Sequence, residues 1–161
     1  MQQEHFAFNM NALGFNKATW TMGKHCVFSK HNVNSLCFSK CNVNPLRFSK
    51  RNMNALRFWK GNMSSLHFSK RNMSGLRFSK CNIGVLRFSK CNMNSLHFSK
   101  CNMNSLRFSK CKVNALRFSK CNVNALGFKK GNVNPLHILN LNLNSLRFSK
   151  RIVSALRFEI I

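Results

Sequence analysis

One ten-residue unit decides how this chain folds, and it reads Cys41-Asn42-Val43-Asn44-Pro45-Leu46-Arg47-Phe48-Ser49-Lys50. Residues 31–150 are twelve copies of this unit with no insertion. An earlier copy occupies residues 8–17, and residues 18–30 are a degenerate copy with three additional residues. Self-similarity at a short fixed period is typical of a repeat array. We therefore predict an irregular leader with one degenerate repeat at residues 1–30 and a single array at residues 31–161.

The apolar positions of the unit exclude a long helix. They are the third, sixth and eighth, occupied by Val43, Leu46 and Phe48 in this copy. Ten residues of an α-helix stop about 80° short of a whole number of turns. The apolar stripe would therefore rotate from copy to copy, and no single face would be buried. Alternation by two within Cys41–Val43 and Leu46–Phe48 instead indicates short strands with a bend every five residues.

Split into fives, the unit resembles the pentapeptide-repeat family. That family's pattern has a large apolar centre, here Val43 or Phe48, and a smaller apolar residue two positions earlier, here Cys41 or Leu46. The resemblance implies an all-β fold: a right-handed, four-sided β-solenoid with four pentads per coil and about six coils. Central residues and those two before them would point inward.

The unit departs from the family pattern at the position two before the centre. Half of these positions hold Leu, and the others include His31, Leu141 and Arg at 51, 71 and 151 as well as Cys. An inward Arg costs several kcal/mol unless it is paired, and residues 31–150 contain no Asp or Glu. Family members that mimic DNA use acidic surfaces, so that activity is not implied for this basic chain.

The charge is strongly unbalanced, with 27 Lys and Arg against two acidic residues, Glu4 and Glu159. Such a chain needs bulk counterions or a polyanion such as nucleic acid to neutralise it. The alternative is that the charge only keeps a repetitive chain in solution. On the solenoid, outward cations would form ladders on two opposite faces, and Asn42, Asn44 and their equivalents would line the other two.

The outward cations are our candidate nucleic-acid-binding residues. They are Arg47, Lys50, Arg57, Lys60, Arg77, Lys80, Arg87, Lys90, Arg107, Lys110, Arg117 and Lys120. Single-stranded nucleic acid is often held by aromatic rings beside cations, but an inward Phe48 cannot stack on a base. We assign the Phe residues to the core and expect phosphate contacts that are salt-sensitive and blind to sequence.

Nothing in the repeat indicates an enzyme, a metal site or a cofactor. General acid–base catalysis usually uses carboxylates, and the His residues at 31, 67, 97 and 137 replace Arg or Cys in the repeat columns. The Cys residues from Cys81 to Cys121 recur every ten residues and lack the close pairs of zinc sites. We expect no catalytic residue, no metal, no small-molecule substrate, and buried thiols in two opposite columns.

The sequence also bears on location and on the competing functions. It has no apolar run of about 18 residues and no secretory start, so we expect a cytoplasmic or nuclear protein with reduced Cys. The first and seventh positions vary among residues one base from an Arg codon, as at Arg51, Gly61 and His67. One alternative is therefore a translated minisatellite without a selected function. Another is a structural solenoid that self-associates end to end.

Overall fold

The structure is a computed structural model that describes residues 3–6, 10–16, 19–20, 25–29, 33–43, 45–153 and 155–159. Side chains are described at 14, 34–42, 45–49, 52–150, 155 and 157. Within the described ranges all ten elements are β-strands, and no helix is long and apolar enough to cross a membrane. The strands are β1 (Gln3–Phe6), β2 (Met10–Asn16), β3 (Thr19–Trp20), β4 (His25–Ser29), β5 (Val33–Val43), β6 (Leu46–Ser99), β7 (Asn102–Ser109), β8 (Lys112–Val133), β9 (Leu136–Val153) and β10 (Leu156–Glu159).

The strands pair in parallel with a register of twenty residues. Val33 lies opposite Met53, Leu86 opposite Leu106, and Leu126 opposite Leu146. Twenty residues are four pentads, so each coil has four faces and the chain makes about six turns. Face 1 contains residues 41–45, face 2 residues 46–50, face 3 residues 51–55 and face 4 residues 56–60, each with the segments twenty residues before and after. The predicted all-β solenoid is confirmed.

The leader carries strands too, but its register is irregular. Met10 pairs with Val33 and Thr19 with Asn42, a shift of 23 residues. Gln3 pairs with His25, a shift of 22 residues. From β4 onward the shift is twenty, since Cys26 pairs with Leu46. The three additional residues of the degenerate copy therefore change the register between β3 and β4, and the parallel pairing resumes after them.

The core consists of the first, third, sixth and eighth positions of the units. Leu at the sixth position is 0 % exposed in every unit from Leu46 to Leu116. Phe at the eighth position forms two columns. On face 2, the Phe48 and Phe68 centroids are 4.9 Å apart, and on face 4 the Phe58 and Phe78 centroids are 4.9 Å apart. Alternation within each pentad directs these side chains inward, as the resemblance implied.

Arg71 occupies an inward position and is 2 % exposed. Its guanidinium carbon lies 4.9 Å from the Phe48 ring centroid and 5.8 Å from that of Phe68. Stacking of a guanidinium on aromatic faces is a favourable cation–π arrangement, stronger away from water. The Phe column of face 2 therefore offsets part of the desolvation cost that the sequence predicts for an inward Arg.

Two of the four corners use backbone in the left-handed region. The tenth residue of the unit has φ between 51° and 54° at Lys40, Lys60, Lys70, Lys80, Lys90, Lys100, Lys110, Lys120, Lys130, Asn140 and Lys150. This conformation costs a residue with a Cβ about 1–2 kcal/mol, and Asn tolerates it best after Gly. The sequence did not reveal this constraint, although Asn140 is the one described departure from Lys in these corners.

Replacing Phe88 by Ala is expected to lower the free energy of unfolding by about 3–5 kcal/mol. The ring is 1 % exposed and stacks on Phe68 and Phe108. Phe148 lies in the same column but is 51 % exposed, so its Ala variant is the matched control and should lose less than half as much. Urea unfolding followed by circular dichroism measures both, and equal losses would contradict this packing.

Replacing Lys120 by Asn is expected to raise the free energy of unfolding by about 0.5–1 kcal/mol, because Asn is less strained at positive φ. Lys129→Ser removes the same charge from a residue outside the positive-φ corners and is the control. Urea unfolding in high salt, where charge repulsion is screened, compares the two. A gain shared equally by both variants would attribute the effect to charge and not to the corner.

Candidate polyanion-binding surface

The seventh residue of each unit points outward between two inward residues, and it forms one column on face 2 and one on face 4. Arg47, Arg87, Arg107 and Arg147 are exposed on face 2, where His67 and Gly127 interrupt the column. The exposed Arg residues of face 4 are Arg57, Arg77, Arg117 and Arg157. The two columns therefore lie on opposite faces, as the sequence predicts.

The Lys residues lie at corners and not within faces. One Lys column marks the corner between faces 4 and 1, and the other marks the corner between faces 2 and 3. The described Lys side chains at these corners are exposed. Eleven of the twelve predicted binding residues thus have exposed side chains; the backbone of Lys50 belongs to β6, and its side chain lies outside the described residues.

Each cation lies one coil from the next member of its column. The ring centroids of Phe88 and Phe108 are 5.1 Å apart across one coil, which matches the spacing of about 4.8 Å between paired strands. Two unit charges at that distance repel by about 0.9 kcal/mol in water, less in salt and less again where long side chains diverge. The columns are therefore dense lines of positive charge that a line of phosphates would neutralise.

Faces 1 and 3 carry neutral ladders of Asn amides. On face 1, Asn82 Nδ2 donates to Asn62 Oδ1 at 3.1 Å, and Asn102 Nδ2 donates to Asn82 Oδ1 at 3.2 Å. On face 3, Asn92 Nδ2 donates to Asn72 Oδ1 at 3.2 Å. These bonds run along the solenoid axis and join successive coils, as predicted for the second and fourth positions.

The aromatic rings are mostly unavailable to a ligand. From Phe38 to Phe128 the eighth-position rings are between 0 % and 4 % exposed, so they form the core and cannot stack on bases. Trp59, which replaces Ser on face 4, is 53 % exposed beside the exposed Arg57 and Lys60. Sequence analysis had not singled out Trp59, although its place in a Ser column was the available signal.

The Cys residues form the two inward columns that the sequence predicts. Cys81, Cys101 and Cys121 lie on face 1, and Cys91 and Cys111 lie on face 3; all five are buried. The Cys91 thiol is within hydrogen-bonding distance of Ser89 O, at 3.4 Å, and of Phe68 O, at 3.6 Å. Its hydrogen bond to Cys111 and its burial raise the pKa of Cys91. These thiols are therefore protonated packing groups.

Chemistry beyond charge is sparse in the described part of the chain. There, no three or more His, Cys, Asp or Glu side chains converge in a way that could hold a metal ion. Two His residues stand within Arg columns and are half-buried. Burial and the neighbouring Arg47 and Arg87 lower the pKa of His67. Burial, Arg77 and Arg117 lower the pKa of His97 in the same way, so both are neutral at pH 7.

Acidification below about pH 6.5 is expected to destabilise the fold through His67 and His97. Because their folded-state pKa values lie below the ordinary 6.5, the unfolded chain takes up protons first, and stability falls as the pH falls through that value. The slope is at most about 1.4 kcal/mol per pH unit for each His. Chemical unfolding from pH 7.5 to 5.0 measures it.

The control for the pH effect is the double variant His67→Gln/His97→Gln. It removes both titrating groups from the Arg columns and leaves the remaining His residues in place. Its stability should be flatter than that of the native chain between pH 7.5 and 5.0. An unchanged slope in the double variant would show that other groups carry the pH dependence.

Comparison with known proteins agrees with this geometry. The family model described as a pentapeptide repeat region matches residues 86–158, which covers the later coils of the array. No curated protein and no solved structure matches the chain. The matched segment has the same twenty-residue register and the same inward first, third, sixth and eighth positions as the coils before it. The array is thus a pentapeptide-repeat region folded as a β-solenoid.

Proposed function

We propose that this solenoid is a non-enzymatic module that binds polyanions, with nucleic acid favoured, through its Arg and Lys columns. The observation that carries the proposal is that the cations of residues 31–150 lie outside while this segment has no Asp or Glu. A surface that cannot be neutralised from within attracts an external line of negative charge.

The shape of the charge supports a phosphate backbone as the partner. Cations recur every coil, at about 4.8 Å, in straight columns along the axis. Double-stranded DNA carries one negative charge per about 1.7 Å of its axis, so phosphates outnumber the cations of any one column. A rigid column can then approach a duplex in many registers, which favours binding without sequence preference.

The contacts would be made to phosphate and not to bases. The buried Phe columns remove the stacking rings that single-strand binders use, and exposed Arg and Lys side chains reach phosphate oxygens as charge-assisted donors. Trp59 is the exposed ring beside the Arg column of face 4, and it serves as a reporter for binding there. Counterion release by the cations supplies the driving force.

Binding to unrelated duplexes is expected to weaken steeply with salt. Fluorescence anisotropy with labelled DNA of two unrelated sequences, across a series of about 50–300 mM NaCl, should give equal affinities and a slope near −0.9 for each phosphate contacted. The double variant Arg87→Gln/Arg107→Gln removes two neighbouring cations of face 2 and should reduce the slope by about 2. Light scattering on the same samples checks that the signal is not self-association.

The matched control for that variant is Asn82→Ser on face 1, which changes a neutral ladder and leaves every cation in place. Its salt slope should equal that of the native chain. Weak binding with little dependence on salt would refute the proposal. A marked preference for one of the two sequences would refute the backbone mode of contact.

A further inference from the structure

The most concentrated departures from the repeat unit lie within twenty residues of one another. Lys112 replaces Asn, Gly127 replaces Arg, Lys129 replaces Ser, and Gly131 stands where neighbouring units have Cys. Two of these changes add a cation and one removes an outward side chain. In the coil they fall on either side of the same corner, between faces 2 and 3, where Lys110, Lys130 and Lys150 form the Lys column.

Gly127 opens a hollow on face 2. The hollow has a volume of about 920 Å³, and the outward side chains around it include Arg107, Lys129 and Arg147. In a regular unit an Arg side chain would lie over this floor. A Cβ added at Gly127 would come no closer than 3.9 Å to the Arg107 side chain, so the site is open for steric reasons and not because the backbone is special.

A second hollow of about 470 Å³ lies round the corner. It is lined by Lys110, Lys112, Lys130 and Lys150 together with neutral residues. Lys129 and Lys130 are consecutive and line different hollows, so the two openings adjoin at the corner. The backbone is fixed there, because Lys110 N donates to Lys129 O of the next coil at 2.8 Å.

The balance of charge is one-sided at this corner. Three cations line the face 2 hollow and four line the second. The nearest acidic residue in sequence, Glu159, belongs to β10, which pairs with the 136–139 segment on face 4. Face 4 lies opposite face 2 in the coil. The hollows therefore offer convergent donors from two faces, which a straight column does not.

We infer that these two adjoining hollows, the corner site, bind a short chain of phosphate groups that bends from face 2 to face 3. A triphosphate fits this chemistry because its consecutive groups can each meet a different cation, and charge-assisted bonds to phosphate are among the strongest a surface makes. The inference rests on the proposed polyanion function for the general attraction, but it adds a discrete location and a small ligand.

Titration calorimetry of the full chain with inorganic tripolyphosphate at about 150 mM NaCl tests the site. We expect one saturable site per chain and at least about tenfold weaker binding of orthophosphate, which meets fewer cations. Several weak equivalent sites, or equal affinity for the two anions, would overturn the corner site.

Gly127→Arg is the decisive variant, because it adds positive charge while filling the face 2 hollow. Other units carry Arg at this position, so the fold accepts it. We expect tripolyphosphate affinity to fall at least about fivefold, through loss of one or more charge-assisted bonds. Unchanged or stronger binding would show that charge alone attracts the anion and would overturn the inference.

A charge-matched pair separates the corner from the rest of the surface. Lys112→Asn/Lys129→Ser restores the repeat residues and should weaken tripolyphosphate binding about tenfold or more. Lys60→Asn/Lys80→Asn removes two charges from the opposite corner, where Asn140 already occurs, and should leave the affinity within about twofold. Equal losses in the two double variants would overturn the site.

Two further arms identify the source of the phosphates and separate this inference from the broader proposal. Displacement of tripolyphosphate by a 5′-triphosphorylated oligonucleotide but not by its 5′-hydroxyl form assigns the site to nucleic-acid ends; displacement by neither assigns it to free oligophosphate, and both results uphold the site. Duplex DNA binding without a tripolyphosphate site would refute the corner site alone. Tripolyphosphate binding without duplex binding would refute the broader proposal alone.

Discussion

A register of twenty residues places nearly every side chain of the array directly over its own copy one coil away. This single constraint has opposite consequences for different residues. Phe over Phe at about 5 Å gives parallel stacked rings, as at Phe68 and Phe88, and Asn over Asn gives a continuous amide chain. Arg over Arg and Lys over Lys give repulsion. The core and the amide faces hold the coils at a spacing that the charged columns oppose.

The period of the sequence was enough to predict the course of the backbone. The apolar third, sixth and eighth positions rule out one helical face and require a bend every five residues, and these are the positions that the structure buries. The outward direction of Arg47 and Arg87 follows from the same alternation. What no local pattern encodes is the left-handed backbone at Lys60 or Lys120, because Lys is not a residue that signals positive φ. That feature comes from closing the coil.

The candidate site was predictable in part for the same reason. Columns such as Arg87 and Arg107 are set by the period alone, so sequence analysis found them. The hollows at Gly127 and Lys112 depend on which residues lie twenty positions apart and on which sides of a corner they fall, and a linear reading treats these changes as separate drift. Arg71 shows a similar limit, since its fit between two Phe rings depends on the neighbouring face and not on its own unit.

Binding and folding are therefore coupled in this molecule. A stability of about 5–15 kcal/mol is typical for a protein, and column repulsion summed over many cations is of the same order before screening and divergence of the side chains reduce it. A polyanion that binds the folded coils relieves the repulsion and adds RT ln(1 + [L]/Kd) to the stability. Unfolding would separate the columns and lose their aligned spacing. The charge that opposes the solenoid in isolation is thus the feature that makes a bound line of phosphates stabilise it.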